Sequence, residues 1–129
     1  MAEYPKDVRY TKDHEWAKKS GASVQVGVTW HAQDALGAIV YVELPKVGAA
    51  VKAGESFGVI ESTKAVSELF APVSGKVAKI NDAVVATPGS VNEDPYKAAW
   101  LIEITPTNPA DFDKLLDVDT YTKLLAEAH

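Results

Sequence analysis

The chain contains no cysteine among its 129 residues. A disulfide, a thiol nucleophile and a zinc site built on thiolates are therefore excluded. Any sulfur redox chemistry in which the protein takes part must be supplied by a cofactor. Arginine is almost as scarce, since Arg9 stands alone, and the net charge is −5 with a pI near 5.1. Because nucleic-acid binding requires clustered basic residues, this composition argues against a nucleic-acid partner.

Long apolar runs are missing as well. No segment has the length of a membrane span, and residues 1–7 show neither the apolar core of a signal peptide nor a basic amphipathic pattern. We therefore expect no membrane partner and a cytoplasmic location, or the mitochondrial matrix if the protein is eukaryotic and has lost a transit peptide. With 47% hydrophobic and 24% charged residues, the chain is typical of one globular domain, and we expect that domain to span residues 1–129.

The side-chain combinations of common enzymes are also absent. No serine lies in a Gly-x-Ser-x-Gly elbow, and His14, His31 and His129 do not have the spacing of metal ligands on one helix. Asp13, His14 and Glu15 form a triplet with the groups for acid–base chemistry, but such charged triplets are more often solvated. We therefore expect a protein that is not itself an enzyme and that binds no metal.

What the chain does contain is many short segments with the periodicity of strands. Val24, Val26 and Val28 alternate with polar residues, and Trp16 closes a short strand that precedes a turn predicted at 18–21. Further strands are predicted at 39–44, 71–73, 76–80 and 100–104, with a tight turn at 74–75. These strands and their Gly and Pro turns favour a mainly β fold, either a small sandwich or a flattened barrel.

Three other segments complete the expected fold. A short helix is predicted near 31–37, with Thr29 as its cap and Gly37 as its end, and residues 81–93 are predicted to be a loop. Asn108 and Pro109 are typical of a helix start. A C-terminal helical segment at about 109–128, bent or divided in two, is therefore expected to cover the core as a lid.

A single lysine lies between two apolar runs in the middle of the chain. Phe57 to Ile60 reads as a strand covered on both faces, and an apolar segment resumes at Ala65. The residues between them are polar, so we expect Lys64 at the tip of a hairpin. A lysine in that position presents a flexible primary amine for covalent modification, although most exposed lysines are only solvated.

Several blocks of the sequence resemble, in their order, those of the H-protein family of the glycine cleavage system. They are YTKDHEW (10–16), AQDALG (32–37), YVELP (41–45), GVIESTKAVSE (58–68), PVSG (72–75) and NEDPY (92–96), followed by Trp100. The resemblance covers the chain from residue 10 to the helical end. It implies the barrel-sandwich hybrid fold of lipoyl and biotinyl carriers.

The resemblance also implies a function. Lys64 would carry lipoate in amide linkage, attached by a lipoate-attaching enzyme. The arm would take an aminomethyl group from a pyridoxal-phosphate-dependent glycine decarboxylase, the P protein, to a tetrahydrofolate-dependent aminomethyltransferase, the T protein. Dihydrolipoyl dehydrogenase, the L protein, would then reoxidise it. The chain itself would be a carrier, which agrees with the absence of a catalytic constellation.

A cleft that shelters the loaded arm is a further implication of the resemblance. The family positions that line it map onto Asp13, Glu15, His31 and Glu68. Their carboxylates would bind a cationic amine and delay its loss to water.

Two alternatives remain open. A lipoyl or biotinyl carrier domain of another complex would share the fold and the hairpin lysine, but biotinyl domains typically place methionines beside the lysine, where this chain has Thr63 and Ala65. Acyltransferase lipoyl domains usually have an aspartate before it, and both kinds are shorter. The second alternative is a relative that relays lipoate, which the sequence does not distinguish from a glycine cleavage carrier.

Overall fold

The computed structural model describes residues 4–127 and consists mainly of two antiparallel sheets. The strands, in chain order, are β1 Arg9–Tyr10, β2 Glu15–Ser20, β3 Ser23–Val28, β4 Ile39–Glu43, β5 Ala50–Val51, β6 Ser56–Ser62, β7 Val66–Phe70, β8 Gly75–Ile80 and β9 Ile102–Pro106. The larger sheet has the strand order β1-β2-β3-β9-β8-β5, and the smaller has the order β4-β6-β7. The expected mainly β fold is confirmed.

The hydrophobic core has two parts. The main cluster contains the inward residues of strands from both sheets, including Val26, Ile60, Leu69 and Ile104, each at most 1% exposed. In β3 the alternation of valines in the sequence places Val24, Val26 and Val28 on the buried face, as predicted from the strand period. A second cluster lies under the C-terminal helix and comprises Val8, Tyr10, Trp16, Tyr121 and Leu125.

The first helix, α1, spans Trp30–Leu36, within one residue of its predicted position. The Thr29 side chain accepts a hydrogen bond from the Ala32 amide, and Gly37 ends the helix with a φ of 86°. That value lies in the left-handed region, which glycine adopts without the steric cost of a Cβ. Both end signals in the sequence therefore predicted the right residues.

Three local predictions were wrong. The predicted turn at 18–21 is strand for most of its length, because Lys18, Lys19 and Ser20 pair with Gln25, Val24 and Ser23. Residues 71–73 are not a strand, and Gly75 begins β8 instead of completing a turn. The predicted loop at 81–93 contains two helices, α2 Asp82–Ala86 and α3 Ser90–Glu93. These helices are too short for a 3.6-residue periodicity to show, but each buries one valine, Val84 or Val91.

The C-terminal segment forms two consecutive helices. A 3₁₀ helix spans Pro109–Lys114, with the Asn108 side chain accepting a hydrogen bond from Ala110, and α4 spans Val118–Glu127. Phe112 joins the main core, whereas Tyr121 and Leu125 join the second cluster. Residue 128, the last of the predicted segment, lies outside the described residues. Within residues 4–127, no helix combines the length and apolar character needed to cross a membrane.

Gly75 provides a test of how tightly the larger sheet is packed. A Cβ at this position would overlap the carbonyl oxygen of Thr105 on the neighbouring strand, and backbone yields less readily than a flexible side chain. We expect Gly75→Ala to lower the free energy of unfolding by roughly 1–3 kcal/mol in urea titrations. Gly89→Ala is the matched control, because its Cβ would meet no atom within 4 Å and its φ is −61°. Equal stability of the two variants would contradict the tight packing at Gly75.

Candidate functional site

Lys64 lies at the tip of the hairpin that joins β6 to β7. The Ser62 hydroxyl accepts hydrogen bonds from the backbone amides of Lys64, at 3.2 Å, and Ala65, at 3.1 Å, and the Ser62 amide donates to the Ala65 carbonyl at 2.8 Å. A serine side chain that bonds backbone amides two and three residues ahead stabilises a turn. The loop backbone is therefore fixed while the Lys64 side chain is exposed.

The hairpin tip rests against the end of α1. The Thr63 amide donates to the Ala38 carbonyl at 3.2 Å, and a Cβ built at Gly37 would lie only 3.1 Å from Lys64 Cε and 3.6 Å from Nζ. The Lys64 side chain thus passes over Gly37, where any residue with a Cβ would crowd it. Asn92 holds the same segment, because its amide nitrogen donates to the Gly37 carbonyl at 2.8 Å.

A cavity of about 230 Å³ begins beside this contact. Its walls come from the loop before β2, from α1 and from β7. The lining residues are Asp13, His14, His31, Ala32, Ala35, Leu36 and Ser67. Leu36 immediately precedes Gly37, so the side chain of Lys64 lies near the end of α1 that forms one wall. The cavity wall therefore includes the residue next to the Lys64–Gly37 contact.

Two histidines lie together in the cavity wall. The rings of His14 and His31 are 4.5 Å apart between centroids, with planes tilted by 40°. His14 has a φ of 72°, which is unusual for a residue with a side chain and carries a conformational cost. Burial, and secondarily the proximity of His31, lowers the pKa of His14, while Asp13 acts in the opposite direction. A neutral imidazole is therefore favoured at this position.

The structure brings together two of the four predicted shelter residues. Asp13 and His31 both line the cavity. Glu15 is only 2% exposed, and its two carboxylate oxygens accept hydrogen bonds from the Thr11 hydroxyl at 2.7 Å and the Phe70 amide at 3.2 Å. Burial raises the pKa of Glu15 to about 8, against the opposing effect of these hydrogen bonds.

Glu68, the fourth predicted residue, is exposed on β7. It pairs with Val59, whereas its neighbour Ser67 pairs with Ile60. Since successive side chains of a strand point to opposite faces, Glu68 lies on the face of β7 opposite to the cavity-lining Ser67.

Sequence reasoning did not assign His14 or Ser67 to the shelter. In the sequence, His14 belongs to a triplet of charged residues and lacks the spacing of a metal ligand. Its left-handed backbone, and the contact of its ring with His31 on α1, have no signal in residue type. Ser67 alternates with the buried Leu69, and that two-residue period could have placed it on the inner face. The described part of the chain contains no cluster of three or more His, Asp or Glu side chains able to hold a metal ion.

Comparisons with known proteins agree on one family. The family model described as glycine cleavage H-protein matches residues 8–128. The chain is 58% identical to the glycine cleavage system H protein of Myxococcus xanthus (strain DK1622), with 94% of each chain covered. It is 54% identical to the protein of the same name from Anaeromyxobacter sp. (strain K), covering 97% of this chain and 98% of that one.

A solved structure extends the likeness to the fold. The crystal structure of a glycine cleavage system H protein from Mycobacterium marinum has a TM-score of 0.88 and 43% identity, and the match covers 95% of this chain and 99% of that one. This likeness confirms the expected barrel-sandwich hybrid, which the two packed antiparallel sheets already indicated. With the family model and these relatives in agreement over nearly its whole length, the chain belongs to the glycine cleavage H-protein family.

Proposed function

We propose that Lys64 is the residue to which lipoate is attached, in amide linkage to Nζ. As a member of its family, the chain is the lipoyl carrier of the glycine cleavage system and is not itself catalytic. The observation that supports Lys64 is its position. It is an exposed amine on a turn fixed by Ser62, and its stem passes over Gly37 at the edge of a cavity.

The residues around Lys64 fit a long covalent arm. The exposed amine is accessible to a lipoate-attaching enzyme, and the Cβ-free surface at Gly37 leaves room for the stem. The cavity is lined by apolar residues, Ala32, Ala35 and Leu36, together with polar ones. An arm with an apolar chain and a polar cargo would find contacts of both kinds there.

The partners that we propose follow from the chemistry of the family. Bound lipoate would supply a disulfide that receives the aminomethyl group from glycine decarboxylase, delivers it to the aminomethyltransferase and is reoxidised by dihydrolipoyl dehydrogenase. The proposed carrier domain spans residues 1–129, with the segment at about 109–128 as its lid. Because its relatives named above are bacterial, the proposed location is the cytoplasm.

The chain's own contribution is shelter. The cargo carries a primary amine, which is cationic at neutral pH, and the Asp13 carboxylate in the cavity wall offers it a counterion. His31 adds a second polar side chain to the lining of the cavity. Glu15 does not line the cavity but supports it, because its carboxyl group links Thr11, in the loop before β2, to Phe70 at the end of β7. Glu68 completes the proposed set as a negative charge on the outer face of that strand.

We expect Asp13→Asn to leave lipoylation unchanged but to speed loss of the aminomethyl group from the loaded protein by about threefold to thirtyfold, since a charge-assisted hydrogen bond is lost. The measurement is release of formaldehyde and ammonia from isolated loaded protein. Asp82→Asn, an exposed change on α2, is the control. Glu15→Ala and Glu68→Gln, measured beside it, test the other two acidic residues. If Asp13→Asn releases its cargo at the wild-type rate, the assignment of this carboxylate fails.

A further inference from the structure

A chain of hydroxyl groups connects the C-terminal helix to the cavity wall. Tyr121 on α4 is fully buried, and its ring stacks on Tyr10 with centroids 4.5 Å apart. Its hydroxyl lies 2.8 Å from Nδ1 of His14 and 2.9 Å from the Thr29 hydroxyl. One oxygen on α4 therefore contacts both the residue that caps α1 and the histidine in the wall.

The direction of these hydrogen bonds follows from counting protons. The Thr29 hydroxyl, which is fully buried, already accepts a hydrogen bond from the Ala32 amide at 3.3 Å. Within residues 4–127, the acceptor at hydrogen-bond distance from the Thr29 hydroxyl is the hydroxyl oxygen of Tyr121. A buried hydroxyl without an acceptor is costly, so Thr29 donates to Tyr121. Tyr121 must then donate its own proton to Nδ1 of His14.

An imidazole that accepts at Nδ1 carries its proton on Nε2 when it is neutral. We propose that Tyr121 is a positioning residue for the cavity, holding His14 in the neutral Nε2–H form. This inference rests on the proposed function, because the cavity matters only if it receives the arm. A neutral His14 ring does not repel the cationic amine of the cargo. Because Tyr121 contacts Nδ1, the N–H donor of this ring is at Nε2 and is not used by Tyr121.

This arrangement gives α4 a role beyond covering the core. Tyr121 follows His14 by 107 positions in the sequence, yet its hydroxyl fixes the ring that also touches His31. The backbone of His14 is left-handed, and the Thr29 amide donates to the His14 carbonyl at 3.0 Å. Removal of one oxygen from α4 should therefore change a ring in the cavity wall without removing any side chain that lines it.

Tyr121→Phe tests the proposal, with Tyr10→Phe as the matched control. Tyr10 is also fully buried and belongs to the same stacked pair, but its hydroxyl donates to the Pro5 carbonyl at 2.6 Å. Two-bond proton–nitrogen spectra of the unmodified, nitrogen-15-labelled proteins, at about pH 8 where histidine is neutral, report the ring tautomers directly. His14→Gln assigns the His14 signal by its disappearance.

We expect wild type and Tyr10→Phe to show His14 as the Nε2–H form, and Tyr121→Phe to show a mixture or the Nδ1–H form. Protonation at Nδ1 in the wild type, or the same tautomer in wild type and Tyr121→Phe, would overturn the proposal.

A second readout separates this inference from the proposed function. In loaded protein we expect Tyr121→Phe to release the aminomethyl group about threefold to tenfold faster, with Tyr10→Phe unchanged. If Asp13→Asn accelerates release and Tyr121→Phe does not, the positioning role is wrong. If all variants release their cargo at the wild-type rate while the tautomer changes as expected, Tyr121 does control His14 and the sheltering function of the cavity is what fails.

Discussion

Lys64→Arg should abolish lipoylation completely. When wild type and variant are produced in a host that synthesises lipoate, the intact mass of the wild type should carry the lipoyl increment and that of the variant should not. Arginine keeps the positive charge and the long stem, but its guanidinium does not form the amide that a primary amine forms. Turnover of glycine in the reconstituted glycine cleavage system should fall to background with the variant.

Lys52→Arg is the control for this experiment. Lys52 is also exposed and lies in the connection between β5 and β6, but no contact with Gly37 or with the cavity holds it near α1. This variant should be lipoylated to the wild-type extent. A lipoyl increment that persists in Lys64→Arg would show that another amine is modified. A lipoylated wild type that fails to support glycine decarboxylase turnover would favour the lipoate-relay alternative instead.

The fold was predictable wherever one short signal decided a local structure. The valines of β3, the cap at Thr29 and the end at Gly37 are such signals, because each depends on residue type and spacing alone. The length of β2 was not predictable in this way. Polar Lys18 to Ser20 resemble a turn in isolation, and they form a strand because β3 offers them a continuous pairing partner. Tertiary pairing overrides local propensity in such segments.

The candidate site also has a part that local sequence predicts and a part that depends on tertiary structure. Lys64 was predictable, because it stands between two apolar runs and within a recognisable motif. The cavity was not, since its walls come from three segments that only the sheet topology brings together. The left-handed conformation of His14 has no glycine to signal it. Nothing in residue type relates His14 to its hydrogen-bond partner Tyr121, which lies 107 positions further along the chain.

Glu15 shows the largest difference between appearance in the sequence and environment in the fold. It stands in a polar motif, yet it is 2% exposed with the Thr11 hydroxyl and the Phe70 amide as partners. Within the described residues no salt bridge compensates its charge. Desolvation therefore outweighs the two hydrogen bonds, and burial raises the pKa of Glu15 from 4.5 to about 8.

This raised pKa predicts a stability that falls as the pH rises. Below pH 4.5 the carboxyl group is protonated in both the folded and the unfolded chain, so its contribution to stability is fully present. Between 4.5 and about 8 the unfolded chain has lost the proton and the folded chain retains it, so the free energy of unfolding declines with pH. Over that range the loss attributable to Glu15 should reach roughly 3–5 kcal/mol, since one pKa unit corresponds to about 1.4 kcal/mol.

Glu15→Gln removes this titration, so urea unfolding of wild type and variant at a series of pH values should give curves that differ in slope between pH 4.5 and about 8. The variant pays a constant cost at every pH, because the glutamine amide cannot accept from both Thr11 and Phe70. The slope difference isolates Glu15 from other groups that titrate in both proteins. Glu93→Gln, which removes an exposed carboxylate from α3, is the control, and only a change of slope specific to Glu15→Gln counts. Parallel curves for wild type and Glu15→Gln would mean that the buried carboxyl group is already ionised at neutral pH, held by its two hydrogen bonds.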